Sequence, residues 1–204
     1  RLLLPATWAP PGAVMVCTHC DPYPEEDHTP DFRFHCLNCR RGNGARTERH
    51  DAVRNCVANG LKKLFGPQAV QVEPHLQAAG APRLAEPDIA LHTGAGVVYL
   101  DVSVVNPACQ SHLGHRSDTD QAAAAAHMEQ TKVNRYRETL LALGLEAGAL
   151  VPFVVEATGR FGPAASQFMA SLGDRPGIRP GVNVETTVRF MIATLRSHIL
   201  VGNS

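Results

Sequence analysis

The hydrophobic and polar positions of this chain change period several times, and each period predicts a different element. Apolar residues recur at helical spacing at about 49–65, 121–145, 164–172 and 182–200. Alternating or consecutive apolar runs at 69–73, 88–92, 97–105 and 150–156 are typical of strands. The predicted order is helix, strand, hairpin, helix, strand, helix, helix. This order indicates an α/β domain in which a small mixed β-sheet is flanked by helices.

The hairpin carries two acidic residues in otherwise apolar surroundings. Asp88 opens its first strand, Asp101 lies in the middle of the second, and Thr93 to Gly96 form the predicted turn. A buried carboxylate without a compensating cation costs several kcal/mol, so we expect a cation nearby. We predict that Asp88 and Asp101 converge near one end of the hairpin. There they would bind Mg²⁺, with Mn²⁺ as an alternative.

Four of the six cysteines form two close pairs, Cys17-x2-Cys20 and Cys36-x2-Cys39. This spacing is typical of a zinc ribbon or knuckle, in which each pair contributes two thiolates to one tetrahedral Zn²⁺. His35 and Cys39 form an equally good half-site, so the spacing leaves open whether His35 or Cys36 is a ligand. The intervening loop is too poor in apolar residues to fold without the metal. Cys56 and Cys109 lack partners and are interpreted as small buried residues.

Composition narrows the class of partner. The hydrophobic fraction of 44% excludes wholesale disorder, and 19 basic residues balance 19 acidic ones, so the total charge favours no partner. Between Thr29 and Lys63, however, eight basic residues stand against three acidic ones, which favours a phosphate backbone over a membrane. No apolar run approaches the ~20 residues that span a bilayer. We expect an intracellular chain that is part of a longer protein.

These patterns divide the chain into two regions. Residues 1–46 form the predicted zinc knuckle and a flexible basic linker, Arg40–Arg46, and residues 47–204 form the α/β domain, with Thr47 as the predicted N-cap of its first helix. His112 and His115 lie in a polar loop. They offer a third interpretation, a small metal hydrolase, although no other feature converges on that loop.

Seven short motifs, taken in order, resemble the C-terminal end of site-specific non-LTR retrotransposon polyproteins. In that family a zinc knuckle precedes a restriction-like endonuclease of the PD-(D/E)xK type. The motifs cover Cys17 to about Leu172 and are Cys17-x2-Cys20, His35-x3-Cys39, Arg49-His-Asp51, Pro87-Asp88, Asp101-Val-Ser-Val-Val-Asn-Pro107, Lys132-x3-Tyr136 and Pro152-Phe-Val-Val-Glu-Ala-Thr-Gly159.

The resemblance implies a restriction-endonuclease-like core and specific roles for its residues. The implied catalytic residues are Asp88, Asp101 and Lys132; Asp88 and Asp101 would bind Mg²⁺, and Cys17, Cys20, His35 and Cys39 would bind structural Zn²⁺. The chain departs from the general pattern at Ser103, where a lysine usually stands. The resemblance moves that lysine to the following helix, and Lys132 is the only lysine after Lys63. Glu48 or His50 is a candidate for a further site residue, whereas Glu73 and Glu156 are interpreted as structural residues or as supports of the metal ligands, not as ligands themselves.

The implied activity is Mg²⁺-dependent nicking of target DNA for insertion of a retrotransposon in the nucleus. The zinc knuckle would assist nucleic-acid binding, a reverse transcriptase would lie upstream, and the RNA of the element would be a second candidate partner. The alternative is a catalytically inactive, zinc-dependent nucleic-acid-binding module that keeps a nuclease-like core. Ser103 favours this alternative, because it leaves the usual lysine position without a charge.

Overall fold

The structure is a computed structural model that describes residues 43–76, 86–107, 120 and 122–201. The helices are α1 (Asn43–Phe65), α2 (Ala123–Ala142), α3 (Pro163–Ala170) and α4 (Val184–Val201), and the strands are β1 (Val70–Val72), β2 (Ile89–Thr93), β3 (Gly96–Val105) and β4 (Leu150–Glu156). The order of elements is as predicted, and the mixed α/β class is confirmed. None of the helices in these ranges is both long and apolar enough to cross a membrane.

Several predictions fall outside these ranges. The candidate zinc ligands Cys17, Cys20, His35, Cys36 and Cys39 precede the first described residue, and Cys109, His112 and His115 lie between the described segments that end at residue 107 and resume at residue 120. The zinc knuckle therefore stays a prediction.

The four strands form one mixed sheet in the order β1-β2-β3-β4. Neighbouring strands are antiparallel from β1 to β3, whereas β3 and β4 run parallel and are joined by a crossover through α2. The hairpin turn is shorter than predicted, because Thr93 pairs with Gly96 and only two residues separate them. Gly96 has φ 127, which glycine adopts without strain, and the Thr93 hydroxyl donates to its carbonyl at 3.0 Å. Pro152 lies in β4, at the edge of the described sheet, where a residue without an N–H donor is tolerated.

The alternation of side chains along β3 separates two packed layers. Leu100 and Val102 belong to the main hydrophobic core, which α1, α3 and α4 cover. Tyr99 and Val105 face the opposite side and pack with residues of α2. Asp101 has the same parity as Tyr99 and Val105, so its side chain is buried beneath α2.

Helix α1 begins at Asn43, so the prediction that it starts near Arg49 was wrong. Its first four residues, Asn43–Arg46, had been assigned to the flexible linker because glycine and asparagine are weak helix formers. Packing of Val53 and Val57 in the core fixes the later turns. Extending an established helix needs no new nucleus, so these residues join α1 at a lower cost than starting a helix would carry.

Helix α2 ends at Ala142 rather than at Leu145, because Gly144 takes a left-handed conformation with φ 66. The Leu145 N–H then bonds back to the Leu140 carbonyl at 2.9 Å, as in a Schellman cap, and Leu145 packs against Leu140. Strand β1 is likewise shorter than predicted. It ends at Val72, because Glu73 has φ 52.

A glutamate on α2 caps the start of α3. The Glu129 carboxylate accepts hydrogen bonds from the N–H groups of Ala164, at 3.0 and 3.2 Å, and of Ala165, at 3.4 Å. The preceding Gly162 provides no side-chain cap of its own. Glu129 therefore satisfies backbone donors that a local N-cap residue would usually bind.

Gly162→Ala should destabilise the fold by about 1–3 kcal/mol, the usual cost of overpacking a well-packed site. A Cβ atom at Gly162 would lie 2.1 Å from Glu129 Oε1 and 3.2 Å from the Ala125 Cβ, so it would displace the capping carboxylate. Urea unfolding measures this change. Gly148→Ala is the matched control, since a Cβ at that position meets nothing within 4 Å. Equal effects of both substitutions would contradict the capping role.

The same carboxylate should make stability depend on pH. Burial raises the pKa of Glu129, and the N–H groups of Ala164 and Ala165 offset this only in part. A carboxyl group whose pKa is higher in the folded chain than in the unfolded chain stabilises the fold when it is protonated. This contribution is complete below the unfolded-state pKa and is lost as pH rises through the folded-state pKa. Across that window we expect the wild type to lose stability relative to Glu129→Gln in urea unfolding. A relative gain would show that attraction to the N-terminus of α3 dominates.

Candidate active site

Two carboxylates lie opposite each other at the end of the β2–β3 hairpin that is farther from its turn. The register pairs Ile89 with Leu100, and its extension by one residue places Asp88 opposite Asp101. The Val102 N–H donates to Asp88 Oδ2 at 2.6 Å, which fixes the first carboxylate against β3. The structure thus brings together the two acids that sequence analysis paired.

A lysine from α2 reaches the same point. Lys132 Nζ lies 2.7 Å from Asp101 Oδ2 and donates to the Val102 carbonyl at 3.4 Å. Only 11% of the Lys132 side chain and 8% of the Asp101 side chain are exposed. One turn later, the buried Tyr136 donates its hydroxyl to the Glu86 carbonyl at 3.2 Å and so ties α2 to the segment that precedes Asp88.

A histidine from α1 completes the group. His50 Nε2 lies 3.3 Å from Asp88 Oδ1, and its Nδ1 lies 3.3 Å from Asp51 Oδ1. Arg54 Nη1 contacts Asp51 at 3.2 Å and also pairs with Glu73 at the end of β1. Of the two candidates on the first helix, His50 contacts Asp88, whereas Glu48 is exposed.

The surroundings move the two acids in opposite directions. Burial alone would raise the pKa of Asp88, but the His50 hydrogen bond and charge, together with the Val102 N–H, hold it below its usual value. Burial raises the pKa of Asp101, and the charge of Asp88 adds to this effect while Lys132 opposes it. The hydrogen bond to Asp88 raises the pKa of His50 despite its burial. Such opposed shifts in adjacent carboxyl groups are typical of functional sites.

The donor set fits a hard divalent cation better than zinc. Asp101 Oδ2 is buried and has no aligned hydrogen-bond donor among the described residues, so the Lys132 contact is an ion pair. Two carboxylates and the Val102 carbonyl are oxygen ligands of the kind that Mg²⁺ prefers, and Mg²⁺ completes its shell with water and substrate phosphate. Within the described ranges, no three His, Cys, Asp or Glu side chains are arranged to hold a metal ion. The residues present therefore suit a site with two carboxylates and several waters.

Of three other predicted residues, Glu73 borders this group, because its N–H donates to the Asp88 carbonyl at 2.8 Å, whereas Glu156 and Cys56 have their contacts elsewhere. Glu73 pairs with Arg54, and Glu156 accepts a hydrogen bond from the Thr158 hydroxyl at 3.2 Å, with Arg160 4.0 Å away. Cys56 is a half-buried free thiol that packs against the core. These contacts give Glu73, Glu156 and Cys56 structural partners.

The assignment of this site rests on its geometry. No protein-family model matches the chain, and no curated protein matches its sequence. What marks the site is that four separate elements contribute to it: His50 from α1, Asp88 from the start of β2, Asp101 from β3 and Lys132 from α2. Hydrophobic packing alone would not bring Asp101 and Lys132 together in buried positions beside Asp88, because each ionisable group costs free energy to bury.

Proposed function

We propose that this chain is a divalent-metal-dependent DNA endonuclease with a restriction-endonuclease-like core. The observation that supports this most directly is the contact between Lys132 Nζ and Asp101 Oδ2 at 2.7 Å, beside a second carboxylate, Asp88. A buried cation beside two acids is the set of groups that metal-assisted phosphodiester hydrolysis needs.

In this proposal Asp88 and Asp101 would hold Mg²⁺ through their carboxylate oxygens. The bound metal would polarise the scissile phosphate and lower the pKa of an attacking water. Lys132 stabilises the negative charge that develops on the pentacovalent phosphate, because its ammonium group is already held next to the acids. His50 orients Asp88 by contacting one of its oxygens, while the Val102 N–H holds the other.

The wider context follows from the resemblance to site-specific non-LTR retrotransposon polyproteins. In this context the enzyme nicks nuclear target DNA for insertion, a reverse transcriptase lies upstream, and the RNA of the element is a second candidate partner. The knuckle and the basic linker Arg40–Arg46 would contact phosphates and position the duplex, whereas the acids would perform the cleavage.

Zinc content tests the knuckle independently of cleavage. We expect one Zn²⁺ per chain, bound by Cys17, Cys20, His35 and Cys39, with Cys36 as the alternative to His35. Metal analysis should show the zinc lost in a Cys17→Ser/Cys20→Ser double variant, because two thiolates are removed from a four-ligand site. Absence of zinc in the wild type, or full retention in the double variant, would contradict the knuckle.

A second candidate function is a zinc-dependent nucleic-acid-binding module that no longer cuts. Ser103 favours it, because this residue lies on the same face of β3 as Asp101 and carries no charge where the general pattern has a lysine. The binding module would keep every other feature of the chain.

Nicking of supercoiled plasmid in the presence of Mg²⁺ separates the two candidates. The endonuclease should convert the plasmid to the open-circular form, and Asp101→Ala should not. Equal binding of plasmid by both proteins, with no cleavage by either, would favour the inactive module.

A further inference from the structure

Lys132 contacts two of the oxygen atoms that the proposed metal could use. Its Nζ lies 2.7 Å from Asp101 Oδ2 and 3.4 Å from the Val102 carbonyl oxygen. Asp101 Oδ2 is itself buried and has no aligned hydrogen-bond donor within the described part of the chain. The ammonium group is therefore the cation that this oxygen contacts.

A divalent cation bound to the same oxygen would lie close to the ammonium group. Mg²⁺ binds carboxylate oxygen at about 2.0–2.1 Å, so a metal on Oδ2 would lie about 4 Å from an ammonium that is 2.7 Å from the same atom. The two cations would also repel each other strongly in a partly buried site. Asp88 does not offer the metal an oxygen without a partner, because its Oδ2 accepts a hydrogen bond from the Val102 N–H and its Oδ1 faces His50.

We propose that Lys132 is an internal cation that leaves Asp101 and Val102 when a divalent metal binds, and that this movement brings its ammonium group to the phosphate. The inference rests on the proposed function and adds an order of events to it. The metal binds to the acids first, and only then does Lys132 become free to act on the phosphate. A lysine suits this exchange, because its four-carbon stem is flexible and its ammonium is a compact charge. Tyr136 stays bonded to the Glu86 carbonyl, so α2 itself need not move.

The chain offers a direct test, because lysine occurs only at positions 62, 63 and 132. Protein labelled with ¹³Cε-lysine gives three NMR signals, and Lys132→Met identifies the one from Lys132. As Mg²⁺ is added to the wild-type chain, the Lys132 signal should move towards that of the exposed Lys63, while the signals of Lys62 and Lys63 stay in place. In Asp101→Asn the Lys132 signal should no longer respond to Mg²⁺.

Calorimetry with Mg²⁺ alone provides the second measurement. Lys132→Met should bind Mg²⁺ about tenfold more tightly or better, because a positive charge next to the metal position is removed. Lys63→Met is the matched control and should leave the affinity unchanged, since Lys63 is exposed on α1.

The outcomes separate this inference from the proposed function. Binding of Mg²⁺ with an unmoved Lys132 signal overturns the exchange and leaves the endonuclease standing. Absence of Mg²⁺ binding in both wild type and Lys132→Met overturns both. An equal shift of the Lys132 signal in Asp101→Asn also overturns the exchange. If Lys132→Met does not fold, the titrations of the wild type and Asp101→Asn decide the question.

Discussion

Asp101→Ala should abolish Mg²⁺-dependent nicking while DNA binding persists. Asp101 is the buried carboxylate of β3 and lies opposite Asp88, so its removal takes away one of the two proposed metal ligands. Loss of one positioned electrostatic group alone costs about 10²–10³ in rate, and loss of a metal ligand should cost at least as much. Asp88→Ala should behave in the same way. DNA binding without metal should be equal to wild type or tighter, because a negative charge that repels phosphate is removed.

The fold of these variants needs its own control. Removal of Asp101 leaves the Lys132 ammonium buried without its counter-ion, and breaking a buried pair in this way costs about 3–5 kcal/mol. Asp101→Asn keeps the shape of the side chain, and circular dichroism would show whether each variant is folded. Glu185→Ala removes an exposed acid on α4 and should cut at the wild-type rate. Wild-type nicking by both Asp88→Ala and Asp101→Ala would show that the site is wrongly assigned.

The hairpin and its two acids could be predicted because their signals are local. Strand periodicity and a glycine-rich turn define the two paired strands, and pairing fixes which residues face each other. Asp88 and Asp101 must then meet whatever the rest of the chain does. Lys132 could be named because so few lysines were available, but its contact with Asp101 depends on how α2 packs against the sheet.

The choice between Glu48 and His50 was open in the sequence, although the helical pattern contained the answer. Val53 faces the core, and at 3.6 residues per turn His50 lies about 60° from it around the helix, whereas Glu48 lies about 140° away. The inward face of α1 therefore carries His50 towards Asp88.

Other features depend on tertiary contacts that no local pattern encodes. The capping of α3 by Glu129 joins side chains and backbone groups more than thirty residues apart. The Arg54–Glu73 pair likewise arises from packing between elements. Propensity and spacing describe each element alone, so they could not predict these features.

Lys132→Ala should cut DNA about 10²–10³-fold more slowly than wild type at saturating DNA and Mg²⁺, with DNA binding nearly unchanged. The buried position of Lys132 makes it a poor general contact for DNA, whereas its contact with Asp101 holds its charge beside the proposed metal ligands, within reach of a phosphate bound there. Ser103 can donate a hydrogen bond but carries no charge, so it cannot replace the ammonium group.

Single-turnover nicking measures this effect without interference from product release. Arg189→Ala is the control, because it removes an exposed cation on α4 and should change the rate little. Lys132→Arg should recover only part of the rate, because the planar guanidinium does not reproduce a compact ammonium charge. If Lys132→Ala cuts as fast as wild type, the stabilising charge must come from another residue. Arg135, which lies next to Tyr136 on α2 with its guanidinium carbon 5.9 Å from the tyrosine ring centre, is then the residue to replace.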